Sequence, residues 1–111
     1  NQIIMEIEHP RARNISSIGQ GRGNIFSVKL PKNSPYANKT VREIASEKKF
    51  PSECVFIAVY NVKKDDFSIP RGDQVISEGD ELFIISSSRA MEDAIDFLMK
   101  VRKDAVKQEG S

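Results

Sequence analysis

The sequence predicts an α+β domain: a small β-sheet with two main helices in the order β-α-β-β-β-α, preceded by a short hairpin strand. Three observations predict it. Residues 24–30 alternate apolar and polar side chains, the pattern of a half-buried strand. Residues 54–62 form a continuous apolar run rich in β-branched residues, which reads as a central strand buried on both faces. Ala90, Met91, Ala94, Ile95, Leu98 and Val101 mark one face of an amphipathic helix that begins near residue 88.

The elements follow in order. Residues 2–8 are apolar at Ile3, Ile4 and Ile7, a spacing open to helix or strand, and Pro10 ends the segment either way. Asn14–Ile18 is a short strand. The glycines of Gly19-Gln20-Gly21-Arg22-Gly23 turn the chain, so that it forms a hairpin with the strand that follows. Residues 31–39, rich in proline and asparagine, form a loop. Thr40 with Glu43 three residues on reads as a capping box, opening a helix with Val41, Ile44 and Ala45 on one face. Lys48 and Lys49 suit the negative end of that helix, and Pro51 stops it. After the run at 54–62, Lys63 to Asp66 form a solvated turn, Phe67–Pro70 a short strand and Gln74–Ile76 a brief extended segment. The glycine turn Glu78-Gly79-Asp80-Glu81 feeds the apolar run Leu82–Ile85. Gly79 supplies a positive φ there, and Asp80 bonds the turn backbone. Ser88 caps the last helix, with Glu92 and Asp93 near its positive end. Residues 103–111 are polar and read as a frayed tail.

Composition narrows the function classes. With 39% hydrophobic and 30% charged residues over 111 positions, the chain has the balance of one globular domain with a core, not of a disordered segment. No apolar run approaches the ~20 residues that cross a bilayer, and the glutamates within residues 1–10 leave no signal-peptide core. A net charge of +1 argues against nucleic acid as a partner. The single cysteine, Cys54, excludes an internal disulfide and any multi-cysteine metal site, and its apolar flanks mark it as a buried thiol rather than a nucleophile.

No catalytic constellation is present: the carboxylates flank turns, and no serine or cysteine is spaced with the one histidine, His9, as a nucleophile–base pair. The glycine run at 19–23 lacks the spacing of a nucleotide loop and precedes a strand rather than a helix, so it reads as a hairpin turn. Lys39-Thr40-Val41-Arg42 admits two readings. Two cations beside a helix start can receive a phosphate or carboxylate, and the same residues also serve as a plain capped surface helix.

The ordered motifs resemble a known family. Phe26-Ser27-Val28-Lys29-Leu30 followed by Ser34-Pro35-Tyr36-Ala37-Asn38-Lys39-Thr40-Val41-Arg42-Glu43-Ile44 is similar to the family's strand and its S-P-x-x-G-K-T-L-x-E-L pattern. Val55–Val59 resembles its central strand. Ile69-Pro70 with Ile76-Ser77-Glu78-Gly79-Asp80-Glu81-Leu82-Phe83-Ile84-Ile85 resembles its P-x-x-x-x-I-x-x-G-D-x-L-x-V. The chain thus resembles the RCK C-terminal (TrkA-C) domain of potassium channel and transporter regulatory proteins, over roughly residues 24–101. It departs from the pattern at Asn38, where the family usually has glycine, and at Asn61, where an arginine often follows the central strand.

The resemblance divides the chain into a connecting helix end and hairpin arm at 1–23, the RCK-C regulatory domain at 24–102 and the tail at 103–111. It implies a non-enzymatic, cytoplasmic, ligand-sensing and dimerisation domain, peripheral to or tethered to the cell membrane, whose partner is a membrane potassium channel or transporter subunit. Such domains usually follow a nucleotide-binding Rossmann domain, whose G-x-G-x-x-G is absent from this sequence. It further implies a homodimer, and the small sheet has more apolar strand positions than two short helices cover. No metal or resident cofactor is implied. Some members bind cyclic di-AMP at the dimer interface, which here points to Asn38, Lys39, Val41, Arg42 and Ile44, with Ile57 as a wall. The alternative is a ligand-free interaction module on another membrane transporter or antiporter.

Overall fold

The computed structural model describes residues 11–102. Along the chain run β1 (Ala12–Ile18), β2 (Gly23–Lys29), α1 (Val41–Ala45), β3 (Cys54–Asn61), β4 (Asp66–Ser68), β5 (Glu81–Ser87) and α2 (Ser88–Leu98). The strands form one antiparallel sheet in the order β1-β2-β5-β3-β4. This is the α+β arrangement expected from the sequence, hairpin strand included. The expected helix end at 2–8 and the tail at 103–111 lie outside the described residues.

The middle strand is β5, not β3. Its two neighbours pair with it along its length, Ile25 and Val55 flanking Ile85, and Phe26 and Phe56 flanking Ile84. The alternation of β5 separates its two faces: Leu82, Ile84 and Ser86 point inward, while Glu81, Phe83 and Ile85 are half-buried on the other side. α2 crosses the inward face over β2, β5 and β3. Its Ala90, Met91, Ala94, Ile95 and Leu98 meet Phe26, Val28, Cys54, Phe56, Leu82 and Ile84 in one core cluster. A fully buried aliphatic or aromatic side chain of this kind stabilises the fold by about 1.5–3 kcal/mol.

The expectation of a β3 buried on both faces is corrected. Cys54, Phe56 and Val59 are buried, but Val55 is 58% exposed. The apolar run is continuous because β3 has a core face and an uncovered face that is also apolar. The bulge between Phe56 and Ala58 adds Ile57 as the unpaired residue, which breaks the alternation that would have revealed this.

A second part of the core lies beside the sheet. Tyr36 stacks on Phe97 with ring centres 4.4 Å apart, Phe50 stacks on Phe56 at 5.2 Å, and Phe50 meets Phe97 edge-on at 5.4 Å. These rings fasten the two long connections to α2 and β3. Ile44 and Ile76 are fully buried in the same cluster.

The helices are shorter than expected. α1 ends at Ala45, so Lys48 and Lys49 lie beyond it in the turns that lead to β3, and the dipole argument for them fails. α2 ends at Leu98, leaving Val101 outside it and partly exposed. Its N-cap is Ser87, and its first turn holds no acidic residue, so Glu92 and Asp93 sit too far along to meet the positive end. Ser88 has another task. Its hydroxyl donates to the Gly21 carbonyl at 2.6 Å and accepts from Asn24 Nδ2 at 2.7 Å, fixing the β1–β2 turn to the start of α2.

Gly79 adopts φ +81°, as expected for the turn into β5. A side chain there meets nothing within 4 Å, so the cost of replacement is backbone strain alone. Gly79→Val is expected to destabilise the domain by about 1–3 kcal/mol. Gly79→Asn is expected to restore most of that, because asparagine tolerates the left-handed region. Denaturant midpoints of the two variants check both; equal midpoints for wild type and Gly79→Val would contradict the strain.

Candidate functional site

The expected site is built around the start of α1. Asn38 turns the chain at φ +69°, the left-handed conformation for which asparagine can replace glycine. Its amide donates to the Ile76 carbonyl at 2.7 Å. Thr40 is the N-cap: its Oγ1 accepts from the Glu43 amide at 3.1 Å, and Glu43 Oε1 accepts from the Thr40 amide at 2.8 Å. This is the capping box expected from the sequence. The bonds from Thr40 hold the Glu43 carboxyl below its usual range.

The chain at 72–76 runs antiparallel alongside this start. Ile76 donates to the Lys39 carbonyl, Val41 to Gln74 and Arg42 to Gly72, each at 2.9 Å, with a single bridge between Thr40 and Val75. The consequence for anion binding is direct. A helix start attracts anions through its unsatisfied amides. Here the amides of Val41, Arg42 and Glu43 are already donated to Gln74, Gly72 and Thr40. Any anion at this end is held by side chains, not by the backbone.

The structure brings some of the expected residues together. Asn38 and Arg42 are exposed, and Lys39 and Val41 half-buried, within one turn of chain. Ile44 is fully buried and packs into the core. Ile57 lies half-buried on β3 at the bulge, apart from the cleft that Arg42 lines. That open cleft, about 820 Å³, is bounded by Arg42, Ile69, Pro70, Arg71, Gly72 and Asp73. Arg71 is the residue that the sequence reading missed. It stands far from Arg42 in the chain, and only the antiparallel packing of 72–76 on α1 brings the two to one cleft. The Arg42 guanidinium lies across Gly72, so close that a Cβ there would stand 2.7 Å from Arg42 Nη2.

A second cleft of about 460 Å³ is edged by Lys48, Lys49, Asp93, Asp96 and Lys100 over Phe50 and Phe97. Lys100 Nζ sits 5.6 Å from the Phe97 ring centre. Charges of both signs line it, so it has no pronounced sign.

Cys54 is buried and its Sγ lies 4.0 Å from the Ala90 carbonyl. Burial pushes its thiol up to about 11, which leaves it protonated and unreactive at neutral pH. Among the described residues no group of three histidine, cysteine, aspartate or glutamate side chains stands where it could hold a metal. No described helix is long and apolar enough to cross a membrane.

The TrkA-C domain model matches residues 25–99. The chain belongs to the TrkA-C domain family. That membership makes it a regulatory domain of the kind found in potassium systems. Three solved structures share the fold, each over 84% of this chain. The crystal structure of the GsuK RCK domain matches with a TM-score of 0.60 at 18% sequence identity. The GsuK channel matches at 0.62 and 17%, and the GsuK channel bound to NAD at 0.63 and 17%. The TrkA-C chain spans a minor part of each, 19% of the first and 16% of the other two. No curated protein matches the sequence.

Two outcomes follow from this geometry. Gly72 has no left-handed φ, so Gly72→Ala is expected to keep the melting temperature near that of wild type while displacing the Arg42 side chain. The Arg42 Nε–H resonance is expected to shift; an unmoved resonance would contradict the contact. For Cys54, the raised folded value means that the thiol favours the folded state below its ordinary 9.0 and that this contribution is lost as pH rises towards about 11. Between pH 9 and 11, wild type is expected to lose stability more steeply than Cys54→Ala. Parallel stability–pH curves for the two would contradict it.

Proposed function

We propose that this chain is the cytoplasmic ligand-sensing and dimerisation domain of a regulator of potassium uptake or conduction, acting without catalysis on a membrane channel or transporter subunit. The observation that carries the reading is the match to the TrkA-C domain over residues 25–99. The likeness to the RCK domain of a channel supports the type of partner.

The site proposed for a ligand is the cationic turn of Asn38, Lys39, Val41 and Arg42. Ile44 holds it from beneath, and Ile57 remains the proposed wall on the sheet side. Arg71 joins Arg42 at the cleft beside it. A symmetric dinucleotide carries two phosphates and suits a two-fold dimer that presents this turn twice. Cyclic di-AMP is therefore the ligand to test, bound as one molecule per pair of chains. Arginine and lysine side chains suit its phosphates.

A ligand-free interaction module on another transporter or antiporter is favoured by one observation: the helix-start amides are taken, so the site offers an anion no backbone donors. Calorimetry separates the two. Under the first reading, cyclic di-AMP binds with one ligand per two chains, and Arg42→Ala weakens it by about tenfold or more. Binding at one ligand per chain, or binding indifferent to Arg42→Ala, would reject the site. No binding of cyclic di-AMP would leave the interaction module. NAD, found with the GsuK channel, serves as the comparison ligand.

A further inference from the structure

The end of the sheet where β5 enters carries a cleft of its own, apart from the α1 turn. β5 is the middle strand, so the turn that feeds it, residues 77–80, is flanked by the end of β2 on one side and the end of β3 on the other. Lys29 closes β2, and its amide donates to the Arg11 carbonyl at 2.9 Å, which brings the residue just before β1 to the same place. At the end of β3 the Asn61 side chain shapes the chain. Its Oδ1 accepts from the Lys64 amide at 2.9 Å, and its Nδ2 donates to Asp80 at 2.8 Å. The first of these bonds closes the turn that carries Val62 and Lys63. The result is a cleft of about 310 Å³ with Arg11, Lys29 and Lys63 around it, Val62 and Gly79 as uncharged walls, and Glu78 as its one carboxylate.

We propose that this cleft binds a small phosphomonoester dianion, with the phosphate among Arg11, Lys29 and Lys63 and the organic group against Val62. Single surface cations need no function, but these three converge from separate strand ends. Among the described residues none of the three is in an ion pair, whereas Arg13 is paired with Glu81 and Arg89 with Glu53. Three cations against one carboxylate leave an excess of two positive charges among the lining side chains, which a dianion matches and a monoanion does not. Glu78 is drawn towards the loop after β2, its Oε2 lying 3.5 Å from the Asn33 amide. Asp80 is buried behind the turn, its oxygens held by Ser77 and Asn61. Arginine and lysine are the side chains that suit phosphate oxygens. The uncharged wall suits the rest of the ester. Val62 is 53% exposed, and a Cβ at Gly79 would meet nothing within 4 Å, so the backbone leaves that side open. The volume stands at the small end of ligand sites, about 300–1,000 Å³. The site is independent of the proposed cyclic di-AMP site: this cleft and the one that Arg42 lines have no residue in common.

The test is an NMR titration of the full chain with phenyl phosphate at low ionic strength, where exposed charges are least screened, with circular dichroism as the check on folding. Saturable shifts are expected in the amides of Val62, Lys63 and Gly79. Lys29→Ala and Lys63→Ala are each expected to weaken binding by about threefold, and Glu78→Gln is expected to tighten it. All three side chains are exposed, so the fold is expected to survive; if one lysine variant unfolds, the other decides. Arg42→Ala is expected to leave phenyl phosphate binding unchanged, which separates this site from the one tested with cyclic di-AMP. Benzoate, a monoanion with the same ring, is expected to bind more weakly. The absence of saturable shifts in these amides would overturn the proposal. So would binding indifferent to the lysine variants, shifts confined to the α1 turn and lost in Arg42→Ala, or benzoate binding as tightly as phenyl phosphate.

Discussion

The Asp80 carboxylate holds the two halves of this fold together. It is 3% exposed. One oxygen accepts from the Ser77 amide at 2.8 Å, closing the turn that Gly79 makes, and the other accepts from Asn61 Nδ2 at 2.8 Å, at the end of β3. The backbone around it also bonds to the residue just after β2: Leu30 donates to the Asp80 carbonyl, and Gly79 donates to the Leu30 carbonyl, both at 2.9 Å. The turn thus ties β5 to both of its neighbours at one point and sets their register. The core face of β5 follows from that register, and the seat of α2 follows from the core face. A buried carboxylate is costly unless its oxygens are satisfied, and here the strand ends supply the donors.

The part of this that was legible in the sequence is local. Gly79-Asp80 announces a left-handed turn with a side-chain bond, and the structure has both. Thr40 and Glu43 announce a capping box, and it is present. The glycines at 19–23 announce a hairpin, and β1 and β2 form it. These readings hold because each depends on a few neighbouring residues whose chemistry admits few conformations. Asn61 belongs with the features that could not be read. It departs from the family pattern in sequence, and the structure shows it bonded to Asp80 across the end of the sheet. A side chain recruited by a distant turn leaves no periodic trace.

The misread features are those in which an apolar pattern has two physical causes. An unbroken apolar run reads as a strand buried on both sides, yet Val55 and Phe56 are apolar for different reasons, one on the open face and one in the core. Lys48 and Lys49 resemble a helix terminus, but a five-residue helix ends before them. At the candidate site, the cationic turn was legible and its hydrogen-bonding state was not. The carbonyls of Gly72 and Gln74 that occupy the α1 amides come from a segment some thirty residues later, brought there by the same turn that positions β5.

The position of β5 also has a consequence for how the chain reaches its native state. Among the described residues, the strand at the centre of the sheet is the last in sequence. β2 comes far earlier in the sequence and finds its inner partner only when Glu81–Ser87 arrives, with Gly23 pairing to Ser87. Until then a nascent chain holds the β1–β2 hairpin and the β3–β4 pair as separate pieces. Small hairpins without a packed face are marginal in water, so neither piece accumulates much structure by itself. The domain therefore condenses late, after synthesis has passed the glycine turn, and its folding is governed by long-range closure rather than by its helices. A fragment ending before residue 81 retains the family's first motif but lacks the strand that joins the two pairs into one sheet.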